Sequence, residues 1–239
     1  MTGSWERIPV ALSAEARMHQ RARQEAAPAS AAVVVDTEIS ARLRGGIEWD
    51  RPDAVAVAVL ARPVALDYRN ADVAWAAAGL AAVGALGELT GDRYVCDWPD
   101  GVRCGATAAP GAGETTGVVD VAVTASTHLG PGRVDYAVLV VRAAPVGLLG
   151  PRDGLIESLV RHGRDAARLL DDPAELLDGY RACCATLGHR VAISLAPNGA
   201  TRGVATDVAA DGGLVVRSAT GLAETVAVTA LRTLSLLDA

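Results

Sequence analysis

GHRVAISLAPNGATRGVATDVAADGGLVVRS, residues 188–218, carries the pattern from which the rest of the chain is read. Short runs alternate apolar and polar residues, and the turns APNG (Ala196–Gly199) and ADGG (Ala210–Gly213) separate them. A period of two, broken by Gly, Asn and Asp, belongs to antiparallel strands joined by tight turns. The pattern predicts strands at Arg190–Leu195, Ala200–Val208, Gly213–Arg217, Glu224–Val228 and Thr229–Leu234. Five short strands in so little chain predict a small antiparallel barrel.

Upstream the period changes. ALSAEARMHQRARQEAA (residues 11–27) has helical composition, with Ser13 as its N-cap. Val33–Asp36 and Ala54–Leu60 read as buried strands, the second stopped by Arg62-Pro63. Ala71–Leu89 reads as a buried helix in which Gly79, Gly84 and Gly87 permit close packing. Tyr94–Pro99 is a strand or strand end running into the turn WPDG. A Gly/Pro/Thr-rich connection (Ala108–Gly117) precedes a strand near Val118–Ala125, a loop STHLGPGR (Ser126–Arg133) and the apolar strand Tyr136–Val141. Helices are expected at Gly154–Leu170 and Pro173–Leu187, the second opening with acidic residues and Pro in its first turn. The expected organisation is a mixed α/β domain, residues 1–187, followed by a C-terminal β module, residues 188–239.

Composition excludes several functions. With 239 residues, 51% of them hydrophobic, the chain can bury a substantial core. A net charge of −6 without any basic run argues against a nucleic-acid partner, whose phosphates require clustered positive charge. No apolar run reaches about 18 residues without a charge, so no membrane span is expected. MTGSWERIPV lacks the basic and apolar regions of a signal peptide. Cys96, Cys104, Cys183 and Cys184 form no CxxC pattern, and a reduced, cytoplasmic protein is expected. All 22 basic residues are Arg, a bias that fits a GC-rich genome better than avoidance of self-modification at lysine. Either way, no lysine is present to act as a catalytic cation. His128 and His162 show no metal-ligand spacing, and Asp171-Asp172 reads as a helix start rather than a carboxylate site.

The chemistry-bearing stretch is VVVDTEISARLRGGIEW (Val33–Trp49), a strand that runs into a loop carrying Arg42, Arg44 and Gly45-Gly46. Arg presents a fork of charge-assisted donors, and Gly lets backbone N–H groups approach an anion, so such a loop suits nucleotide phosphates. An ordinary solvated turn has the same residues, and only the surrounding chain distinguishes the two.

That surrounding chain resembles the biotin protein ligase family, in the short form without a DNA-binding domain. LLDGYRACCATLGHRVAISL and RGVATDVAADGGLVVRS are similar to the family's YR…TLG…V stretch and its G-A-x-D…GxLxV hairpin, through Tyr180, Arg181, Thr186, Leu187, Gly188, Gly203, Asp207 and Leu214. Upstream, the Arg loop lies over A-D-E-Q-T-x-G-R-G-R-x-G-R-x-W, CDWPDG over K-W-P-N-D, and YAVLVVRAAP over the V-V-G-I-G-x-N strand. The resemblance implies a mixed-sheet α/β catalytic-type domain of the biotin/lipoate ligase fold and a C-terminal SH3-like barrel. It also implies biotin and ATP with Mg²⁺ as ligands. A biotin carboxyl carrier protein, an intact ligase or a second copy of the chain is the implied partner.

The departures fall where the chemistry belongs. Arg42, Arg44, Gly46 and Trp49 match, but Ala41 and Leu43 stand at glycine positions, Ile47 replaces an arginine, and Glu38 stands where glutamine is usual. Trp98 matches, whereas Asp97 takes the place of the lysine, Asp100 of the asparagine and Gly101 of the aspartate. Of the S-T-N-D signature only Ser13 remains, and Val140–Ala144 lacks both glycines and the asparagine of its strand. Two unit charges about 4 Å apart interact by roughly 4 kcal/mol at an effective dielectric of 20, so exchanging Lys for Asp swings the energy by about 8 kcal/mol before relaxation. Half of that is still nearly a thousandfold in rate. Arg42 or Arg103 can neutralise Asp97 without restoring positive charge. Three readings follow: an eroded ligase kept for binding through Glu38, Arg42, Leu43, Arg44, Gly46, Trp49, Trp98 and Asp100; an active ligase served by Arg103, Arg142 or Mg²⁺; and a cysteine-dependent lipoyl- or octanoyl-type acyl transferase using Cys96 or Cys104.

Overall fold

All seven residues of Val55–Ala61 are buried, because this strand (β3) lies inside a sheet covered on both faces. The computed structural model describes residues 5–24, 26–105, 120–144 and 152–237. Around β3 it sets β1 (Trp5–Ala11), β2 (Ala32–Glu38), β4 (Tyr94–Asp97), β5 (Gly101–Cys104), β6 (Asp120–Gly130) and β7 (Arg133–Ala144). These form one seven-stranded sheet in the order β1-β2-β3-β7-β6-β5-β4. The β1–β2 pair is parallel and the other pairs are antiparallel.

The period of two in β3 divides its side chains between two packing layers. Ala56, Ala58 and Leu60 face helix α1 (Ala14–Gln24), which answers with Ala14, Met18 and Ala22 at helical spacing. Val55, Val57 and Val59 face the opposite layer, containing α2 (Val73–Thr90) and α3 (Arg152–Leu169). Helix α2 is long and apolar enough to cross a membrane, yet here it is the core helix, with ten of its 18 residues buried. Gly84 admits the ring of His162 from α3, since a Cβ there would lie 2.5 Å from Nδ1.

Helix α4 (Pro173–Cys183) starts as expected, with Asp172 accepting a hydrogen bond from the Glu175 amide. It leads into β8 (Arg190–Leu195), β9 (Ala200–Val208), β10 (Leu214–Arg217), β11 (Ala223–Val226) and β12 (Leu231–Leu236). These strands make an antiparallel sheet in the order β11-β10-β9-β8-β12, consistent with an SH3-like β domain. Val191, Ile193, Ala205, Leu214 and Val226 from this sheet belong to the same buried cluster as α2 and α3.

Several expectations need correction. β1 and β5 were not read from the sequence. STHLGPGR is not a loop throughout: β6 continues to Gly130, and only the tip turns. α4 ends at Cys183, four residues early, because Cys184 has extended backbone. The connection Ala108–Gly117 lies outside the described residues.

One glycine of the C-terminal sheet is sterically required. A Cβ on Gly203 would fall 2.2 Å from the backbone oxygen of Arg217 on the neighbouring strand. Gly203→Ala is therefore expected to cost about 1–3 kcal/mol or more through overpacking, read as a lower denaturation midpoint with an unchanged m-value.

Candidate ligand site

The loop between β2 and β3 folds on itself. Leu43 N–H donates to Ile47 O (2.8 Å), Trp49 N–H to Ala41 O (3.0 Å), and Arg42 pairs with Glu48 as an isolated bridge. A 3₁₀ turn at Arg44–Gly46 closes this miniature hairpin, with Gly45 and Gly46 at φ of +70° and +78°. Two consecutive left-handed residues explain the glycine pair.

The two arginines are already engaged. Arg42 spans the hairpin, donating to Gly46 O at 3.0 Å. Arg44 donates from Nε to Asp100 Oδ2 (3.0 Å) and from Nη1 to Leu231 O (2.6 Å). One side chain thereby joins the loop, the WPDG turn and the first residue of β12. Leu43 is half-buried beside them, and Ile47 points into solvent.

The WPDG turn hangs from the C-terminal half of the chain. Trp98 is buried; its amide donates to Thr186 Oγ1 (2.8 Å) and its indole Nε1 to Gly212 O (3.0 Å). Asp97 Oδ2 accepts from Arg103 Nε at 2.7 Å, one of the two neutralising partners that the sequence suggested; the other, Arg42, donates within its own hairpin. Between the Arg loop, α2 and the C-terminal sheet lies a cavity of about 510 Å³, lined by Arg44, Ile47, Trp75, Leu231 and Arg232 among others. That volume, the apolar wall and the Arg232 cation suit a small molecule with an anionic group.

Glu38 does not join this cavity wall. At the end of β2 it turns under α1, where Oε1 accepts from the Ala14 amide (2.7 Å) and Oε2 lies 2.6 Å from Arg142 Nε. The carboxylate thus sits at the positive end of the α1 dipole. Arg142 has 0% exposure and spends a further N–H on Thr124 Oγ1 (2.9 Å). Farther along the same face, His19 is held between Ser126 Oγ (2.8 Å) and Tyr136 OH (3.2 Å). Hydrogen bonding from His19, then from Ser126, holds the Glu15 carboxyl below its usual range despite burial.

The expected residues thus separate into groups. Arg44 and Asp100 meet, with Gly46, Trp98 and Asp97 close in sequence; Arg42 and Trp49 close the hairpin; Glu38 lies apart, between the start of α1 and Arg142. Cys96 and Cys104 are not paired across β4 and β5, whose register sets Cys96 opposite Val102 and Cys104 opposite Tyr94. Contact with Cys183, then burial, pushes the Cys96 thiol far up, which disfavours a thiolate there. Sequence reading did not foresee the Glu38–Arg142 pair or the part played by Cys183. The lone Arg in the apolar run YAVLVVRAA was the available signal, since a buried guanidinium demands a counter-charge.

The architecture is that of biotin protein ligases. The Aquifex aeolicus biotin protein ligase in complex with biotin and ATP superposes with a TM-score of 0.69 at 14% identity, covering 99% of this chain and 100% of that one. The Helicobacter pylori biotin acetyl coenzyme A carboxylase synthetase, with bound biotinylated ATP, gives 0.57 at 12% identity over 94% of this chain and 100% of its own. The Leishmania major biotin protein ligase in complex with biotinyl-5-AMP gives 0.55 at 16% identity over 93% and 98%. No protein-family model and no curated protein matches the sequence.

Proposed function

We propose that this chain is a biotin protein ligase-like protein whose biotinyl-adenylate site is eroded, non-catalytic or weakly active, and retained to bind a ligand or a protein. The Glu38–Arg142 pair carries this reading. By resemblance, Glu38 stands at the family's glutamine and Arg142 at the second glycine of the G-I-G-x-N strand. Glycine leaves open space beside a strand, whereas a wholly buried guanidinium fills it and is satisfied by Glu38 and Thr124. Displacing it would strand one or both charges. Asp97, at the lysine position, is neutralised by Arg103 but supplies no cation to a developing phosphoryl charge.

The same contacts weaken the alternatives. An active ligase would need Arg103 or Arg142 to replace the missing cations, and both are committed to carboxylates. Acyl transfer through Cys96 would need a thiolate at a buried, acid-weakened thiol. A binding role is supported by the cavity beside Trp75, where Arg232 offers a cationic group to an anionic ligand or to an acidic segment of a carrier protein, an intact ligase or a second copy.

The deciding measurement is pyrophosphate release and biotinyl-AMP formation by the purified chain with ATP, Mg²⁺ and biotin. Turnover roughly a thousandfold below that of an intact ligase is expected from the loss of about 4 kcal/mol of electrostatic stabilisation. Turnover comparable to an intact ligase overturns the proposal.

A further inference from the structure

Two cysteines distant in sequence meet behind the WPDG turn. Cys96, in β4, and Cys183, the last residue of α4, place their sulfurs 3.8 Å apart. Cys96 is buried against Gly79 of α2, where a Cβ would lie 3.0 Å from its Sγ. Cys183 is only half-buried and lines a cavity of about 310 Å³ that also holds Arg93 and Arg103. One thiol is thus open to small solutes beside cationic side chains, and a second is sheltered directly behind it.

We propose that Cys183 is a hydroperoxide-reactive modification site and that Cys96 is its resolving thiol. The Cys183 thiolate sulfur attacks one peroxide oxygen and the O–O bond breaks. Cys183 becomes a sulfenic acid, and the departing hydroxide takes up a proton to leave as water. The Cys96 sulfur then attacks the Cys183 sulfur, so that the S–S bond forms as the S–O bond breaks. The oxygen leaves as a second water, carrying the hydrogen of the sulfenic acid and the Cys96 thiol proton. Two thiols are oxidised and one peroxide is reduced.

Accessibility assigns the roles in this order, since Cys183 lines the cavity and Cys96 is buried behind it. Contact with Cys96 lowers the Cys183 thiol, burial opposes this, and the Arg93 charge assists it; the same contact and burial raise Cys96. A thiolate in front of a protonated thiol is the required asymmetry. The bond would also reach the candidate ligand site. Ala185 N–H donates to Cys96 O (2.7 Å), and Thr186 receives the Trp98 amide, so a disulfide at the end of α4 fixes the segment from which the WPDG turn hangs.

The test uses the full chain, reduced, desalted and exposed to stoichiometric hydrogen peroxide. Intact mass is expected to fall by two hydrogen atoms, and non-reducing peptide mapping to yield a Cys96–Cys183 cross-link. Cys183→Ser abolishes the change, Cys104→Ser leaves it intact, and Cys96→Ser accumulates a sulfenic acid trapped by dimedone. Without any substitution, limiting iodoacetamide labels Cys183 first. Unchanged cross-linking in Cys183→Ser, a cross-link through Cys104 or Cys184, first labelling elsewhere, or no mass loss while added free cysteine is oxidised overturns the proposal.

Discussion

Arg142→Ala is expected to lower the unfolding free energy by about 3–5 kcal/mol, the cost typical of removing one member of a buried ion pair. The Glu38 side chain is only 6% exposed, and without the guanidinium its carboxylate keeps the Ala14 amide as a donor. A buried carboxylate then remains without its counter-charge. Urea unfolding checks the magnitude. A loss below about 1 kcal/mol would remove the pair from the account, because an exposed pair contributes that little. Glu38→Gln combined with Arg142→Gly removes both charges and should recover part of the loss. The same double variant reopens the space occupied by the guanidinium, so biotin binding by it is a direct trial of the erosion reading.

Trp98→Ala is expected to cost about 3–5 kcal/mol, the range for truncating a large buried aromatic. Trp98 is 3% exposed and fills the junction between the two sheets. Its indole N–H satisfies Gly212 O in the β9–β10 turn, and its amide is anchored on Thr186. Trp98→Phe keeps most of the packing and loses the indole donor, so it should fall between wild type and Ala, about 1–3 kcal/mol below wild type. Chemical denaturation of the three proteins orders them. Equal stability of Phe and Trp would show that the link to Gly212 contributes nothing.

What the sequence revealed depended on how locally each feature is encoded. Helix α2, the apolar strands β2, β3 and β7 and all five C-terminal strands were legible, because their apolar pattern is intact within one segment. β1 was missed because WERIPVA is an edge strand with Pro9 inside it. Its Arg7 finds carboxylates at Asp36 and Asp153, 29 and 146 residues away. β6 was cut short because its outer half, Ser126–Gly130, makes polar contacts such as His19–Ser126 and the His128 ring stacked on Tyr136. The loop residues were legible as a loop, but not the engagement of Arg44 by Asp100 and Leu231, which the fold assembles from three segments. Asp97–Arg103 was anticipated because its partners lie six residues apart on adjoining strands.

The uninterrupted apolar cluster running from α2 and α3 into the C-terminal sheet has a mechanical consequence. Hinged enzymes open along a thin seam, and here the corresponding boundary is packed with Val191, Ile193, Leu214 and Val226. Cutting the backbone near residue 188 would therefore bare two greasy faces rather than release two soluble halves. The C-terminal sheet serves as a fixed wall of the cavity beside Trp75. On the opposite side the small Arg-loop hairpin, latched by Arg44 to Asp100 and Leu231, has far less to break than the wall behind it.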